Sequence, residues 1–115
     1  MEQDTLPTGD IASLMAYIGI HFPFTQDHYP NEDLSTPEKV TRFALEHSLD
    51  HMVKTTGKIA TQKEDFAHGG EIDSHRLQID TIKMLVTSLN LARALGMSAD
   101  DVTRMVPVAM GTQKT

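Results

Sequence analysis

Three carboxylates on the two longest predicted helices have the spacing of a divalent metal site. Glu46 and Asp50 are four residues apart and are therefore neighbours on one helical face. Asp80 lies in a polar stripe of the next long helix. Two antiparallel helices presenting these acids to each other would offer the oxygen ligands that Mg²⁺ or Mn²⁺ prefers. The alternative is that Glu46 and Asp50 are solvated, while Asp80 pairs with Arg76 or Lys83 on its own helix.

Basic side chains on the same two helices are candidates for binding phosphate. Lys54, Arg76 and Lys83 are expected to offset charge that develops on a phosphorylated substrate. The Gly69-Gly70 pair lacks the Gly-x-x-x-x-Gly-Lys pattern of a phosphate loop, and there is no Gly-x-Ser-x-Gly elbow for a nucleophile. The sequence therefore assigns no catalytic residue and no organic cofactor, and the expected cofactor is Mg²⁺.

Two histidines suggest a second kind of metal site. His47 and His51 share one helical face and could ligate zinc or another transition metal, with His75 or Asp50 as a third ligand. On a helical wheel, however, both imidazoles point away from the apolar arc of their helix. The favoured interpretation is that they are exposed to solvent or to a partner.

The elements that position these residues are helices. Asp10 is a candidate N-cap and Pro23 ends the first helix, whereas Thr36-Pro37-Glu38 forms the clearest helix start in the chain. Gly96 closes the third helix, and Ser98 with Asp101 forms a capping box for the fourth, which is expected to end at Pro107. No segment alternates with a period of two, so the sequence predicts one all-α domain over residues 1–115. The predicted helices span about 10–22, 37–65, 74–95 and 98–106, with 1–9 and 108–115 expected to fray.

The distribution of apolar residues predicts a partner for the two long helices. In the second helix, Leu45, Leu49, Met52, Val53, Ile59 and Ala60 share one arc of roughly 120°. The third helix is apolar around most of its circumference, apart from a narrow polar stripe: Arg76, Asp80, Lys83, Thr87 and Asn90. Such a helix is normally central, so a second copy is expected to cover it in a homodimer or higher homo-oligomer. The loop 23–35 is about twice the usual length, which is typical of functional loops or of loops wrapped on a neighbour.

Composition excludes several classes of function. The net charge of −6 argues against binding to nucleic acid or to anionic membranes, because both need clustered positive charge. The chain has no cysteine, so it has neither disulfides nor thiolate metal sites. No apolar run approaches the roughly 20 residues that span a bilayer, and the acidic N-terminus is unlike a secretory signal. The expectation is a small cytoplasmic protein.

The order of these parts resembles the MazG-like all-α nucleoside triphosphate pyrophosphohydrolases over roughly residues 10–107. The resemblance rests on the order of the parts: a short helix, a proline-containing loop, a long acidic helix, a glycine break, an apolar helix ending LNLARALGMS and a short capped helix. It implies metal ligands in a Glu-x-x-Glu motif on the second helix and a Glu-x-x-Asp motif on the third. Glu46 and Asp80 match two of these four positions, whereas Leu49 and Leu77 replace the other two.

The resemblance leaves three hypotheses for function. The first is an oligomeric helical protein of MazG-like type with an incomplete hydrolase site, which acts as a binding or assembly module. The second is an active Mg²⁺-dependent nucleoside triphosphate pyrophosphohydrolase, with a nucleotide held by the metal and by the basic residues. The third is a helical bundle that binds a metal through His47 and His51.

Overall fold

The computed structural model describes residues 6–114, and within this range it contains helices and no strand. The predicted all-α class is confirmed. Residues 1–5 and residue 115, which belong to the acidic N-terminus and to the segments expected to fray, lie outside the described residues. The helices are α1 (Ile11–His21), α2 (Pro37–Ala67), α3 (Ser74–Ala94) and α4 (Ala99–Ala109).

Helices α1, α2 and α4 begin where the sequence places a cap. The Asp10 side chain accepts a hydrogen bond from the backbone N–H of Ser13 at 2.7 Å, and Thr36 accepts one from Lys39 at 3.2 Å. Ser98 and Asp101 form the predicted capping box at the start of α4. These bonds satisfy N–H groups that have no partner within a helix, which explains why the helix starts can be read from the sequence.

The predicted end of the fourth helix at Pro107 is wrong, because α4 continues to Ala109. A proline in the last turn of a helix loses only the hydrogen bond that its own N–H would donate. That bond would go to the backbone carbonyl of Thr103, and because Thr103 is exposed, water can bind this carbonyl instead. The helix is closed by Gly111, which follows the C-cap Met110 and has a φ of 76°. There the backbone N–H of Thr112 donates to the Pro107 carbonyl at 2.9 Å.

The long helices α2 and α3 form an antiparallel hairpin, and α1 packs against α3 while α4 packs against α1. The turn of the hairpin is held by the Gln62 side chain, whose Oε1 accepts from the backbone N–H of Asp73 at 2.8 Å. The apolar core lies elsewhere, between α1 and α3. It is formed by Met15, Ile18 and Leu89.

The hairpin buries polar side chains and exposes much of its apolar surface. The buried residues of α2 and α3 include Ser48, Thr55, Asp80 and Asn90. Conversely, the large side chains on the apolar arc of α2 are largely exposed, and Val53 keeps 72% of its surface. The polar stripe of α3 therefore faces α2 and the cavities beside it. The apolar surface expected to make α3 central is only partly covered within one chain.

Candidate functional site

A large cavity lies between α2, α3 and the loop that follows α1. Its volume of about 630 Å³ is within the range of small-molecule sites in proteins. We call it the main cavity. Its lining contains apolar, aromatic and basic groups: Phe22, Phe24, Tyr29, His47, Ser48, His51, Lys54, Thr55, Lys58, Gln78, Ile79, Ile82, Lys83, Val86, Thr87 and Asn90.

One end of the main cavity is aromatic. Phe24 and Tyr29 from the loop lie nearly parallel, with ring centroids 6.2 Å apart. Phe43 and His47 of α2 stack with centroids 5.2 Å apart, and the ring of Tyr29 packs edge-on against both. The Tyr29 hydroxyl lies 3.3 Å from Nε2 of His47, which is within hydrogen-bonding distance. This cluster presents flat apolar surface of the kind that a planar ligand ring can stack on.

Side-chain bonds to the backbone hold the loop over this end. The Gln26 amide donates to the carbonyl oxygens of Tyr29 and Glu32, and its Oε1 accepts from the backbone N–H of Leu34 at 3.1 Å. Leu34 itself is buried. A single glutamine thus fixes the path of the loop that the sequence singled out only by its length.

The end of the loop is fastened by an ion pair. Lys39 Nζ lies 2.6 Å from Asp33 Oδ2, and the Ser35 hydroxyl donates to Asp33 Oδ1 at 2.6 Å. The hydrogen bond from Lys39, with those from Ser35, lowers the pKa of the Asp33 carboxyl to about 2. The carboxylate is therefore charged throughout the neutral range, and the loop joins α2 at a defined point.

The other side of the main cavity is basic. His47, His51, Lys54 and Lys58 follow one another at spacings of four, three and four residues, so they occupy one face of α2. Lys83 contributes a further ammonium group from α3. None of the described residues that line this cavity is Asp or Glu. In a chain with a net charge of −6, the main cavity is a local concentration of positive charge.

The sequence favoured exposure of both histidines, but only one of them is exposed. His47 is half-buried in the aromatic cluster, whereas His51 is exposed with its ring centroid 4.4 Å from that of His47. Burial, followed by the nearby His51 imidazole, lowers the pKa of His47, while Asp50 and Glu32 oppose the shift. The loop covers the side of α2 opposite its apolar arc. A helical wheel of α2 alone does not include this loop and therefore cannot predict the burial of His47.

The three carboxylates predicted to bind Mg²⁺ are not gathered at one cavity. Glu46 and Asp50 are exposed and line neither cavity, whereas Asp80 lies in the α2–α3 interface. Asp50 is roughly 12 Å along α2 from Lys58, which borders the cavity of Asp80. Within residues 6–114, no group of three or more His, Asp or Glu side chains is arranged to hold a metal ion. The three carboxylates are therefore not gathered into one metal site within the described part of the chain, and the Mg²⁺ expectation stays a prediction.

Asp80 is instead a fully buried acid beside a smaller cavity. Its relative exposure is 0%, and neither carboxylate oxygen has a hydrogen-bond partner among the described residues. The alternative that the sequence left open, a pairing of Asp80 with Arg76 or Lys83, is therefore not formed. The smaller cavity, of about 380 Å³, is also lined by Lys58, Gln62 and Arg76, and Nε2 of Gln62 is likewise buried without a partner.

The predicted phosphate-binding residues are divided between the two cavities. Lys54 and Lys83 both line the main cavity, whereas Arg76 lines the smaller one. Lys58, which borders both cavities, was missed, although its spacing from Lys54 would have placed it on the same face. Phe24 and Tyr29 carried no sequence signal beyond lying in a long loop.

Comparisons of the chain with protein-family models, with curated proteins and with solved structures gave no match. Across residues 6–114, no helix combines the length and the apolar character needed to cross a membrane. The chain's function must therefore be inferred from its cavities and surfaces, and the MazG-like resemblance stays a prediction.

Proposed function

We propose that this protein is a helical binding module that holds a small organic phosphate of the nucleotide class in its main cavity. The observation that supports this most directly is the charge of the lining, whose described residues include three lysines and two histidines and no acid. Because the chain as a whole is acidic, this concentration of positive charge favours an anionic ligand at this site. The MazG-like relationship and a cytoplasmic location are part of the same proposal.

The two ends of the cavity favour one orientation of the ligand. A planar base would stack at the aromatic end, on the rings of Phe24 and Tyr29. The phosphate would lie beside Lys54 and Lys83, whose ammonium groups form charge-assisted hydrogen bonds to its oxygens. The volume of about 630 Å³ accommodates both parts of such a ligand.

Binding is favoured over hydrolysis because none of the described residues that line the main cavity offers a carboxylate to hold a metal or to activate water. The alternative function, a Mg²⁺-dependent pyrophosphohydrolase, draws support from one observation, the buried and unpaired carboxylate of Asp80. A cation would compensate that charge. The third hypothesis, a metal site at His47 and His51, has two close imidazoles in its favour.

The main test is calorimetric titration with AMP, ATP and inorganic phosphate. We expect the nucleotides to bind, and the double variant Lys54→Met/Lys83→Met to weaken binding by about tenfold or more, because each charge-assisted contact contributes roughly 1.5–3 kcal/mol. The matched control is Lys63→Met, which removes a lysine of α2 that lines neither cavity. Equal affinity in wild type and the double variant would reject the proposal.

The two alternatives have separate tests. Release of pyrophosphate from a nucleoside triphosphate with Mg²⁺, abolished in Asp80→Asn, would establish the hydrolase. A melting temperature raised by Zn²⁺ and lowered by chelator, with both effects lost in His47→Phe, would establish the imidazole site. If neither effect occurs and nucleotides still bind, binding without hydrolysis is the remaining function.

A further inference from the structure

The side of the hairpin opposite the main cavity carries no charged side chain along its centre. Helical spacing places these residues away from the basic face of α2, and none of them lines either cavity. We call this surface the uncharged face. It consists of Leu45, Leu49, Met52, Val53, Thr56 and Ala60 on α2 and Leu77, Thr81, Met84, Leu85, Ser88 and Ala92 on α3.

Much of the uncharged face is exposed in the single chain. Val53 keeps 72% of its surface, Leu49 keeps 48% and Leu85 keeps 43%. In a chain of which 23% of residues are charged, an exposed helical surface with this composition is typical of an interaction site.

The single chain also lacks the core that a domain of its length normally has. Among the described residues, the buried hydrophobic ones are Met15, Ile18, Leu34, Ala44 and Leu89. The radius of gyration is 16.6 Å, whereas a compact domain of this length has about 13 Å. The described residues leave much of the two long helices uncovered, so their apolar surface is available to another chain.

The size of the uncharged face suits a stable dimer. The 16 residues from Leu77 to Ala92 give it a length of about 24 Å, and two adjacent helices give it a width of about 20 Å. The projected area is on the order of 500 Å². The accessible surface of the protruding side chains exceeds this projection and approaches the roughly 800 Å² that each partner contributes to a typical stable interface.

The order of large and small residues is complementary to itself when the helix direction is reversed. On α2, large residues precede the midpoint between Met52 and Val53, and the small residues Thr56 and Ala60 follow it. On α3, Leu77 lies as far before the midpoint between Met84 and Leu85 as Ala92 lies after it. Reversal therefore places a leucine opposite a small residue in three of the six pairs on this face: Leu45 with Ala60, Leu49 with Thr56 and Leu77 with Ala92. The other three pairs match residues of similar size, and both kinds of pair allow helices to pack closely.

The two midpoints lie at the same height along the hairpin. The main cavity is lined from His47 to Lys58 on α2 and from Gln78 to Asn90 on α3. The centre of each range falls beside the midpoint of the pattern on that helix. One two-fold axis, lying in the interface and perpendicular to the helices, can therefore relate both helices at once.

We propose that a second copy of this chain docks on the uncharged face, with α2 antiparallel to α2 and α3 antiparallel to α3, to form a four-helix dimer core. The main cavities of the two copies then face outward, on opposite sides of the dimer. The opposed pairs are Leu45 with Ala60, Leu49 with Thr56, Met52 with Val53, Leu77 with Ala92, Thr81 with Ser88 and Met84 with Leu85.

The first test is the oligomeric state by analytical ultracentrifugation and light scattering across micromolar concentrations. We expect wild type to be a dimer and Val53→Glu to raise the dissociation constant by about 100-fold, because the new charge would be buried near the two-fold axis. Met110→Glu is the matched control, since Met110 is 70% exposed and lies after α4. It should leave the dimer intact. A wild-type monomer, or a Val53→Glu dimer of unchanged affinity, would overturn the proposal.

The second test examines the pairing itself and does not depend on how well a single variant folds. Leu45→Glu and Ala60→Lys should each weaken the dimer, whereas the double variant should regain affinity, because each glutamate then faces the other copy's lysine. Helicity measured by circular dichroism controls for folding. If the double variant loses as much dimerisation free energy as the two single variants lose in sum, the antiparallel pairing is wrong.

Discussion

The side chain of Asn90 on α3 donates a hydrogen bond of 3.0 Å to the backbone carbonyl of Phe22, the C-cap of α1. Arg93 supports this bond, because its Nη1 donates to Oδ1 of Asn90 at 2.7 Å. Asn90 is buried and also lines the main cavity. The bond therefore ties the end of α1, and with it the start of the loop that forms the aromatic end of the cavity, to the hairpin.

Asn90→Ala is expected to lower the free energy of unfolding by about 1–2 kcal/mol, because it leaves the Phe22 carbonyl and the Arg93 guanidinium without their partner. Urea denaturation measures this change. The control is Asn31→Ala, at an exposed loop position, where we expect less than about 0.5 kcal/mol. Equal effects of the two substitutions would show that the bond between α1 and α3 contributes nothing.

Gly19 is expected to be coupled energetically to Arg93. A methyl group at Gly19 would meet the guanidinium of Arg93, which lies directly over this glycine. Gly19→Ala should therefore have little net effect in wild type, since the gain of about 1 kcal/mol from helix propensity is offset by displacing the arginine. In an Arg93→Ala background the full gain should appear. A double-mutant cycle by urea denaturation measures the coupling, and equal effects in both backgrounds would contradict it.

The caps and the all-α class could be predicted from the sequence because they depend on residues close together in the chain. Asp10, Thr36 and Ser98 cap their own helices, and the motif that shows this is complete within a few positions. The end of α4 was misplaced because a proline near a helix end loses only one bond, so its position alone does not determine where the helix stops.

The candidate site could be predicted only in part because its two halves come together through tertiary structure. Lys54 and Lys83 were identified from their helices, and they do line one cavity. Phe24 and Tyr29 reach that cavity through a loop whose path depends on the side-chain bonds of Gln26. No periodicity in the sequence reports such a path, so neither the aromatic end nor the burial of His47 could be derived from it.

Asp80→Asn is expected to stabilise the protein by about 1–3 kcal/mol, because an uncharged amide costs less to bury than a carboxyl group whose oxygens have no hydrogen-bond partner in the described part of the chain. Urea denaturation in the presence of chelator measures the change. Asp50→Asn is the control, since Asp50 is exposed and should have little effect. Destabilisation by Asp80→Asn would instead show that the carboxylate is compensated by a neighbouring cation, such as Lys58 or Arg76, in solution.

Protonation of His47 is expected to make the fold less stable at mildly acidic pH. Burial lowers the pKa of His47 below its ordinary value of 6.5, so the unfolded chain binds this proton more tightly than the folded chain does. The stability contributed by the neutral imidazole is fully present above about pH 6.5. It is lost as the pH falls through the pKa of His47 in the unfolded chain toward its lower pKa in the folded chain. Because the ring is only half-buried, we expect no more than a few tenths of a kcal/mol.

Protonation of His47 is expected to destabilise the fold but to favour the binding of an anionic ligand. The effect on binding should be the easier of the two to measure. An anion in the main cavity stabilises the charged imidazole, so bound AMP should raise the pKa of His47. NMR titration of the His47 ring with and without AMP measures the shift. The phosphate of AMP itself takes up a proton with a pKa of about 6, which weakens its binding to the lysines. The affinity is therefore measured in parallel for wild type and for His47→Phe, which keeps an aromatic ring beside Phe43. As the pH falls from about 7.5 to about 6, wild type should lose less affinity for AMP than His47→Phe does. An equal loss in both proteins, with no shift in the pKa of His47, would place the phosphate away from His47.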